Sequence, residues 1–231
     1  MDKRLLLCAE LVEGDRVCDV GTDHGYLPCY LVSSGRCSSA LACDIGEKPL
    51  ASAREHIDAQ GLSDRVKTVL SDGLDNVPPD GIRDIVLAGM GGELIADILG
   101  RCSWIKDGSV NIVMQPMTKA ELLRQWLYEN SFCVRTERAC ISGRFGYTVM
   151  SGRFGERATY ECTQEYLRFG LLSCDSDDNA EYLERECDRL ERAARGMAGS
   201  ADKREQGKLL LKIIDDKRKE VRLYAESKRY L

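Results

Sequence analysis

The stretch DVGTDHGYLP, residues 19–28, combines two glycines with two aspartates and a histidine. It has the form of a nucleotide-binding turn, in which backbone amides at a helix N-terminus approach a pyrophosphate. Asp19 and Asp23 would repel a pyrophosphate and attract a cation, because opposite charges attract. The turn therefore predicts a positively charged ligand, which Gly21 and Gly25 would allow close to the backbone.

S-adenosylmethionine is such a ligand, because it carries a sulfonium and an ammonium group. Two later strand-like runs end in residues suited to its nucleoside part. Asp44 follows the turn by about 20 residues, where an acidic side chain accepts hydrogen bonds from ribose hydroxyls. Asp72, in LSDGL, is placed to accept from an adenine amino group, and the next run ends in the glycine loop LAGMGGELI.

Each of these residues also has an ordinary explanation. An aspartate after a strand is often a helix cap or a turn former, and glycines shape tight turns. His24 could bond the backbone, and His56 is expected on the surface of a helix. The functional interpretation depends on their shared position, because ligands of an open α/β sheet bind beyond the carboxyl ends of its strands.

The elements that would position these residues alternate between strand-like apolar runs and segments with helical periodicity. Short apolar runs predict strands at residues 15–21, 39–44, 65–71, 83–89 and 110–115. Helical patterns lie between and after them, at residues 26–34, 47–61, 91–101 and 117–131. This alternation predicts a doubly wound, Rossmann-like parallel sheet. Two consecutive strand candidates, residues 132–140 and 145–154, predict a β-hairpin at its end.

Two amphipathic helices are predicted near the C-terminus, at residues 178–197 and 202–230. Apolar residues follow one face of each and predict a helical hairpin of coiled-coil type: Leu183, Cys187, Leu190 and Ala194 on the first, Leu210, Ile213, Ile214 and Val221 on the second. We expect residues 1–155 to form the main domain and residues 156–231 a helical extension. A monomer is expected, with a dimer formed through the terminal helices as the alternative.

Composition restricts the class of protein. The net charge of −5 argues against nonspecific coating of nucleic acid, yet residues 135–231 hold 20 Lys and Arg against 18 Asp and Glu. Eleven cysteines without a C-x-x-C pair are typical of a reducing cytoplasm and give no zinc signature. No apolar run reaches the roughly 18 residues of a membrane span, so no membrane partner is expected.

The motifs DVGTDHGYLPCYL, ACDIGEKPL, SDGL and IVLAGMGGELIADIL together resemble the bacterial tRNA (adenine-22-N1)-methyltransferase (TrmK) family. The resemblance covers residues 1 to 150, and the terminal helical pair matches that family's coiled-coil domain in kind. It implies a class I methyltransferase fold, S-adenosyl-L-methionine as cofactor and tRNA as partner. The implied reaction is methyl transfer to N1 of adenosine 22.

The resemblance also implies roles for individual residues. The implied cofactor site comprises Asp19, Gly21, Thr22, Gly25, Asp44, Ile45, Asp72, Gly73, Gly89, Met90 and Gly91. Asp23 and His24 are the catalytic candidates, the first to stabilise the cationic product and the second to bond the base or orient Asp23. The candidate substrate contacts are Tyr26, Gly92, Arg135, Arg144, Lys212 and Lys217. No metal is expected, because this transfer does not require one.

Two other functions fit the same pattern. A nicotinamide-dependent oxidoreductase could use this fold, although the turn lacks the third glycine and carries two acidic residues. A noncatalytic scaffold could use the helical hairpin for protein contacts, because a fold does not by itself establish a function.

Overall fold

The computed structural model describes residues 1–196 and 201–228. Seven strands form one sheet in the order β3-β2-β1-β4-β5-β7-β6. The strands are β1 (Arg16–Val20), β2 (Ser39–Asp44), β3 (Val66–Leu70), β4 (Asp84–Gly91), β5 (Asn111–Thr118), β6 (Phe132–Ser142) and β7 (Phe145–Phe154). Strands β1 to β5 are parallel, and β7 runs antiparallel to both β5 and β6. The predicted Rossmann-like sheet with a terminal hairpin is confirmed.

Eight α-helices lie in the described part of the chain. They are α1 (Lys3–Glu10), α2 (Tyr26–Ser33), α3 (Glu47–Ala59), α4 (Gly92–Arg101), α5 (Ala120–Glu129), α6 (Gln164–Phe169), α7 (Asp177–Gly196) and α8 (Ala201–Ser227). Helix α5 begins three residues later than predicted, because β5 extends to Thr118. Strand β4 likewise extends through the glycine loop, with register irregularities around Met90.

Apolar layers cover both faces of the sheet. Helices α1, α2 and α3 contribute Leu7, Leu31 and Ile57 to one layer, and α4 and α5 contribute residues such as Leu99 and Leu127 to the other. Strands buried on both faces need continuous apolar sequence, which is why these runs do not alternate. Among the described helices, none combines the length and apolar composition that crossing a membrane would require.

Helices α7 and α8 pack against each other and against β6. Leu183, Cys187, Leu190 and Ala194 are buried together with Leu210 and Ile214, as the amphipathic pattern predicts. The helices are antiparallel, because Lys228 near the end of α8 pairs with Asp177 at the start of α7. The buried positions of α8 include Lys217, which lies between Ile214 and the partly buried Val221 at alternating three- and four-residue spacing.

One buried ion pair joins the helical extension to the sheet. Arg124 of α5 and Glu137 of β6 approach to 2.6 Å, and both side chains are almost fully buried. Arg124 also donates to the backbone oxygen of Leu167 in α6, and Glu137 accepts from the backbone N–H of Leu171. The pair therefore links α5, β6 and α6 across the predicted domain boundary.

Candidate functional site

A cavity of about 470 Å³ lies beyond the carboxyl ends of β1 and β4. Strand β1 lies between β2 and β4, so the strand order reverses at this point of the sheet. Open α/β sheets bind their ligands at such a reversal. The cavity is lined by Met1, Asp2, Arg4, Leu5, Asp19, Gly21, Thr22, Asp23, Tyr26, Leu27, Ala88 and Gly89.

The turn after β1 follows a backbone path that glycine makes accessible. Gly21, Asp23 and Gly25 have φ values of +75°, +54° and +68°, in the left-handed region that favours glycine. The N–H groups of Gly21 and Thr22 donate to the Cys43 oxygen, which anchors the turn to β2. A Cβ atom at Gly21 would lie 2.5 Å from Met90 Cε, so this glycine lets the turns after β1 and along β4 approach each other.

Asp19 lies in the cavity wall with 5% of its surface exposed. Burial raises the pKa of its carboxyl to about 6, because a charged group is less stable away from water. The neighbouring Thr22 hydroxyl opposes this rise, yet its buried oxygen makes no hydrogen bond of standard geometry with the described residues. This pair of incompletely satisfied polar groups is suited to a ligand that donates hydrogen bonds or carries positive charge.

Asp44 ends β2 and stabilises the same turn. Its Oδ1 atom accepts from the Gly46 N–H at 2.9 Å, and Oδ2 lies 3.4 Å from the Asp23 nitrogen. The ordinary turn-forming role is therefore present, while the carboxylate keeps accepting capacity for ribose hydroxyls. Ile45 follows it with 69% of its surface exposed, an apolar side chain beside the predicted nucleoside position.

The third strand end lies outside the lining of the cavity. Asp72 pairs with Arg101 at 3.1 Å, and Arg101 also pairs with Asp75 and Asp97. Gly73 has φ +57°, and a Cβ atom there would lie 2.9 Å from Ile98 side-chain atoms. The structure thus gives Gly73 a packing role against α4 and leaves the Asp72 carboxylate exposed but paired.

Asp23 and Tyr26 line the cavity with exposed side chains, and His24 lies beside both of them. His24 Nε2 lies 3.5 Å from Asp23 Oδ2, so the histidine can orient the carboxylate when it is protonated. The Tyr26 ring lies between two histidine rings, with centroids 5.5 Å from His24 and 5.0 Å from His56. This row places an exposed aromatic face, the kind on which a base stacks, next to the predicted catalytic pair.

The two ends of the glycine loop of β4 have different surroundings. Gly89 has φ +81°, lines the cavity and donates its N–H to Gln115 Oε1 at 3.0 Å. Gly92 is buried, and a Cβ atom there would lie 2.4 Å from the Lys119 oxygen. The absence of a side chain at Gly92 serves close packing of α4 against the start of α5, which differs from the predicted substrate contact.

Two of the basic residues predicted to contact the substrate, Arg135 and Arg144, lie at opposite edges of the sheet. Strand β6 runs parallel to β5, so its start lies at the edge away from the cavity and its end lies at the cavity edge. Arg135, near the start, pairs with Glu13 and Glu156. Arg144 lies in the hairpin at the cavity edge, where its guanidinium covers the Phe145 ring. Of these two, only Arg144 is on the side where a substrate of this cavity would bind.

The two lysines of α8 also differ in their surroundings. Lys212 is exposed. Lys217 has 8% of its surface exposed, and its Nζ atom pairs with Glu165 at 3.1 Å and Glu220 at 2.8 Å. Because these carboxylates neutralise it in the helical interface, Lys217 stabilises the packing and is not available to a phosphate.

Among the residues that sequence reasoning missed at this site are Arg4 and Gln115. Arg4 of α1 lines the cavity, and its Nη1 atom donates to Gln115 Oε1 at 2.7 Å. Gln115 is fully buried at the end of β5. A polar residue closing the apolar run VNIVM was the available signal for Gln115, whereas no local pattern around Arg4 indicates that α1 reaches this cavity.

Residues 1–150 match a family described as a methyltransferase domain. The tRNA (adenine(22)-N(1))-methyltransferase of Bacillus subtilis (strain 168) is 33% identical to this chain over 163 residues. That match covers 70% of this chain and 68% of the Bacillus subtilis protein.

Solved structures extend the similarity over nearly the whole chain. The Bacillus subtilis M1A22 tRNA methyltransferase TrmK is 27% identical with a TM-score of 0.73, and the match covers 97% of this chain and 98% of that one. A Streptococcus pneumoniae protein described as a candidate tRNA (m1A22) methyltransferase, in complex with S-adenosyl-L-methionine, is 28% identical with a TM-score of 0.76. That match covers 96% of this chain and 99% of that one.

Proposed function

The chain belongs to the tRNA (adenine-22-N1)-methyltransferase family, and from this we propose that it transfers a methyl group from S-adenosylmethionine to N1 of adenosine 22 in tRNA. The observation that carries the proposal is the 33% identity to the Bacillus subtilis enzyme over two thirds of both chains. Because the chain belongs to this family, we no longer propose the nicotinamide-dependent oxidoreductase or the noncatalytic scaffold. The acidic cavity also disfavours a pyrophosphate ligand.

The residues present fit the cofactor. Asp19 is a buried carboxylate without a cationic partner bonded to it in the described structure, and its position suits the ammonium group of the methionine part. Gly21 and Gly89 leave the cavity wall open at the backbone, and the buried Thr22 oxygen lacks a standard hydrogen bond. Asp44 and the exposed Ile45 are suited to the ribose and the adenine face, with Asp72, Gly73, Gly25, Met90 and Gly91 supporting the surrounding turns.

The proposed mechanism is a single in-line displacement. When bound, S-adenosylmethionine supplies a methyl group on a sulfonium, and the lone pair of adenine N1 forms the new bond as the carbon–sulfur bond breaks. The protein contributes mainly by positioning the two reactants, which can lower a barrier by roughly 7 to 11 kcal/mol. No proton has to leave N1 before attack, because that nitrogen already has a lone pair.

The exposed residues Asp23, His24 and Tyr26 would act on the target base. A paired adenine must first be unpaired, at a cost of a few kcal/mol, because N1 lies on its Watson–Crick edge. The Tyr26 ring is exposed and can stack on such a base. The product base is cationic, so the Asp23 carboxylate can stabilise the charge that develops on it. We propose that His24 orients this carboxylate through their 3.5 Å contact.

Replacing Asp23 by asparagine is expected to lower the single-turnover rate of methylation about tenfold, because the neutral amide cannot stabilise the developing positive charge as well. His24→Ala is expected to have a smaller effect in the same direction, since it only orients Asp23. The measurement is single-turnover methylation of tRNA at saturating cofactor. An unchanged rate for either variant would remove that residue from the chemistry, and unaltered cofactor affinity is the control.

Of the contacts proposed for tRNA, Arg144 lies on the cavity side of the molecule, and Lys212 is exposed on α8. Arg144 in the β6–β7 hairpin and Lys212 on α8 are the basic residues that we retain from the sequence-based set. Arg135 and Lys217 are not retained, because Arg135 lies at the far edge and Lys217 is buried between two carboxylates. Phosphate contacts of this kind fix the position of the tRNA without reading its sequence.

We also propose that the protein is cytoplasmic and that the boundary between its two domains lies near residue 155. All eleven cysteines are free thiols, nine of them buried, which suits a reducing compartment. A monomer remains our proposal for the oligomeric state.

The reaction is tested with unmodified tRNA transcripts, S-adenosylmethionine and the purified protein. After nuclease digestion, mass spectrometry should detect 1-methyladenosine, and a transcript with guanosine at position 22 should yield none. Methylation that survives this replacement would show a different target. Absence of any methylated nucleoside, despite cofactor binding, would contradict the proposed function.

A further inference from the structure

Three arginines lie in one row at the amino edge of the sheet, the edge opposite the cavity. The register of β1 pairs Arg16 with Ser39 of β2, and the register of β2 with β3 continues this level to Arg65, just before β3. The register of β1 with β4 places Arg83, just before β4, on the other side of Arg16. The row therefore crosses four neighbouring strands in the order Arg65, Ser39, Arg16, Arg83.

The side chains of this row point to the same face of the sheet, because side-chain direction alternates along each strand. Cys18 and Ile85 lie two residues after Arg16 and Arg83, and both belong to the apolar layer beneath α4 and α5. The arginines continue this face beyond the end of that layer. Arg65 and Arg83 are exposed there, and Arg16 is half-buried.

The three guanidinium groups have no carboxylate partner within the described residues 1–196 and 201–228, and they make no side-chain hydrogen bond there. Asp107 lies close enough to Arg83 for the arginine to lower its pKa, but the larger cause of that lowering is the Ser109 N–H. The carboxylate of Asp107 accepts from this N–H at 2.8 Å. By contrast, Arg54 on the neighbouring helix α3 is paired with a carboxylate.

Like charges on neighbouring strands destabilise a sheet unless something neutralises them. Adjacent strands lie about 4.8 Å apart, so the backbones of Arg16 and Arg83 are separated by about that distance, and Arg65 lies about 10 Å from Arg16. The chain has 38 acidic residues and a net charge of −5, yet none of its described carboxylates pairs with this row. The arrangement therefore suits an anion supplied from outside the chain.

The spacing of the row requires more than one anionic group. Arg16 and Arg83 can converge on one group, whereas Arg65 is two strands away and is placed for a second. The planar fork of a guanidinium matches phosphate oxygens, and a phosphate has enough oxygens to accept from two arginines at once. We propose that Arg65, Arg16 and Arg83 bind a chain of at least two phosphate groups.

This phosphate site is separate from the cavity and does not rest on the proposed methyl transfer. The five residues of β1 place about 16 Å of strand between the two edges. The phosphate groups have two sources, the backbone of an RNA or a free polyphosphate such as the tail of a nucleoside triphosphate. An RNA bound here and at the cavity would contact both edges of the sheet.

The first arm of the test titrates the full-length protein with sodium tripolyphosphate by isothermal titration calorimetry. Arg65→Gln and Arg83→Gln should each weaken binding about tenfold, the loss expected for a hydrogen bond between charged groups. Arg54→Gln is the matched control, because it removes one positive charge from an arginine that is already paired, and its affinity should equal that of wild type. Saturating S-adenosylhomocysteine should leave all these affinities unchanged, because the cavity lies at the other edge.

The second arm distinguishes the two sources with an unmodified tRNA transcript. Binding is measured at several salt concentrations, and the slope of log affinity against log salt reports the number of phosphate contacts. If the ligand is an RNA backbone, Arg65→Gln and Arg83→Gln should each reduce this slope by about 1. If it is a free polyphosphate, the slope for tRNA should stay at the wild-type value while binding of tripolyphosphate falls.

Unchanged binding of both tripolyphosphate and tRNA in Arg65→Gln and Arg83→Gln would overturn the inference. If these variants also unfolded at lower urea concentration, the arginines would be assigned to shielding the end of the apolar layer. An equal loss in Arg54→Gln would show an effect of net charge alone, and competition by S-adenosylhomocysteine would place the probe in the cavity. Either result would overturn the phosphate site as well.

Discussion

Replacing Arg124 by alanine is expected to lower the free energy of unfolding by about 3–5 kcal/mol. The substitution leaves the Glu137 carboxylate fully buried without its cation, and such a charge is strongly destabilising. Burial would lower the pKa of Arg124, but the charge of Glu137 outweighs that effect and holds the pKa above its ordinary range. The arginine therefore stays charged.

The same substitution removes more than one ion pair. Arg124 donates to the backbone oxygens of Leu167 and Arg168, so α6 loses part of its attachment to α5. Gly170, at φ +65°, lies so close to Glu137 that a Cβ atom there would be 1.8 Å from Oε2. A side chain at this position would clash with Glu137.

Urea denaturation of wild-type protein and Arg124→Ala measures this effect. Arg195→Ala is the matched control, because Arg195 forms an exposed pair with Glu191 and such pairs contribute about 1 kcal/mol or less. The combined variant Arg124→Met/Glu137→Leu should recover part of the loss, since it removes both buried charges. A loss of under about 1 kcal/mol in Arg124→Ala would show that the ion pair does not hold α6 to the sheet.

The affinity for S-adenosylhomocysteine, which carries the same ammonium group, is expected to rise about tenfold per pH unit up to about pH 6 and then to level off. The cause is Asp19, whose pKa burial raises to about 6. The ammonium of the ligand favours the ionised carboxylate. Below that pKa binding must first remove a proton from Asp19, and this lowers the affinity.

The unliganded protein should show the opposite dependence. Between about pH 4 and pH 6 the folded protein keeps the Asp19 proton while the unfolded chain releases it. The folded state then binds more protons than the unfolded state. The contribution of Asp19 to the free energy of unfolding therefore falls as the pH rises through this window. Bound ligand should remove this contribution, because it stabilises the charged form.

Asp19→Asn isolates the effect in calorimetric titrations between pH 5 and pH 8. Its affinity at pH 8 should be about 10- to 100-fold weaker than wild type, because a hydrogen bond to a charged partner is lost. The affinity of this variant should also be independent of pH. Asp97→Asn, an exposed residue of α4 outside the cavity, is the control that should follow the wild-type curve. A pH dependence that persisted in Asp19→Asn would assign the titration to another group.

The local sequence determined the sheet, because strands and helices depend on the pattern of neighbouring residues. A strand buried on both faces must be continuously apolar, and the helices between such strands show a period of 3.6 residues. The turn at residues 19–25 was recognisable for a similar reason, because its left-handed backbone needs glycine at Gly21 and Gly25. The boundaries at Met90 and Thr118 shifted because strand pairing continued beyond the apolar runs.

The positions and ion-pair partners of the charged side chains depended on the tertiary structure. Arg135 and Arg144 look alike in the sequence, but the pairing of β6 with β7 sends them to opposite edges of the sheet. Lys217 belongs to a helix rich in lysine, yet the packing of α8 on α7 places it among buried residues with two carboxylates beside it.

The sequence by itself thus determined the fold class, the position of the cofactor turn and the family, since each is written in short motifs and in the periodicity of neighbouring residues. Only the tertiary structure decided that Gln115 anchors Arg4 in the cavity wall and that Arg124 and Glu137 join the two parts of the chain. These pairs are 111 and 13 residues apart in sequence. Their energetics arise from burial and from contacts that exist only after the sheet and its covering helices have assembled.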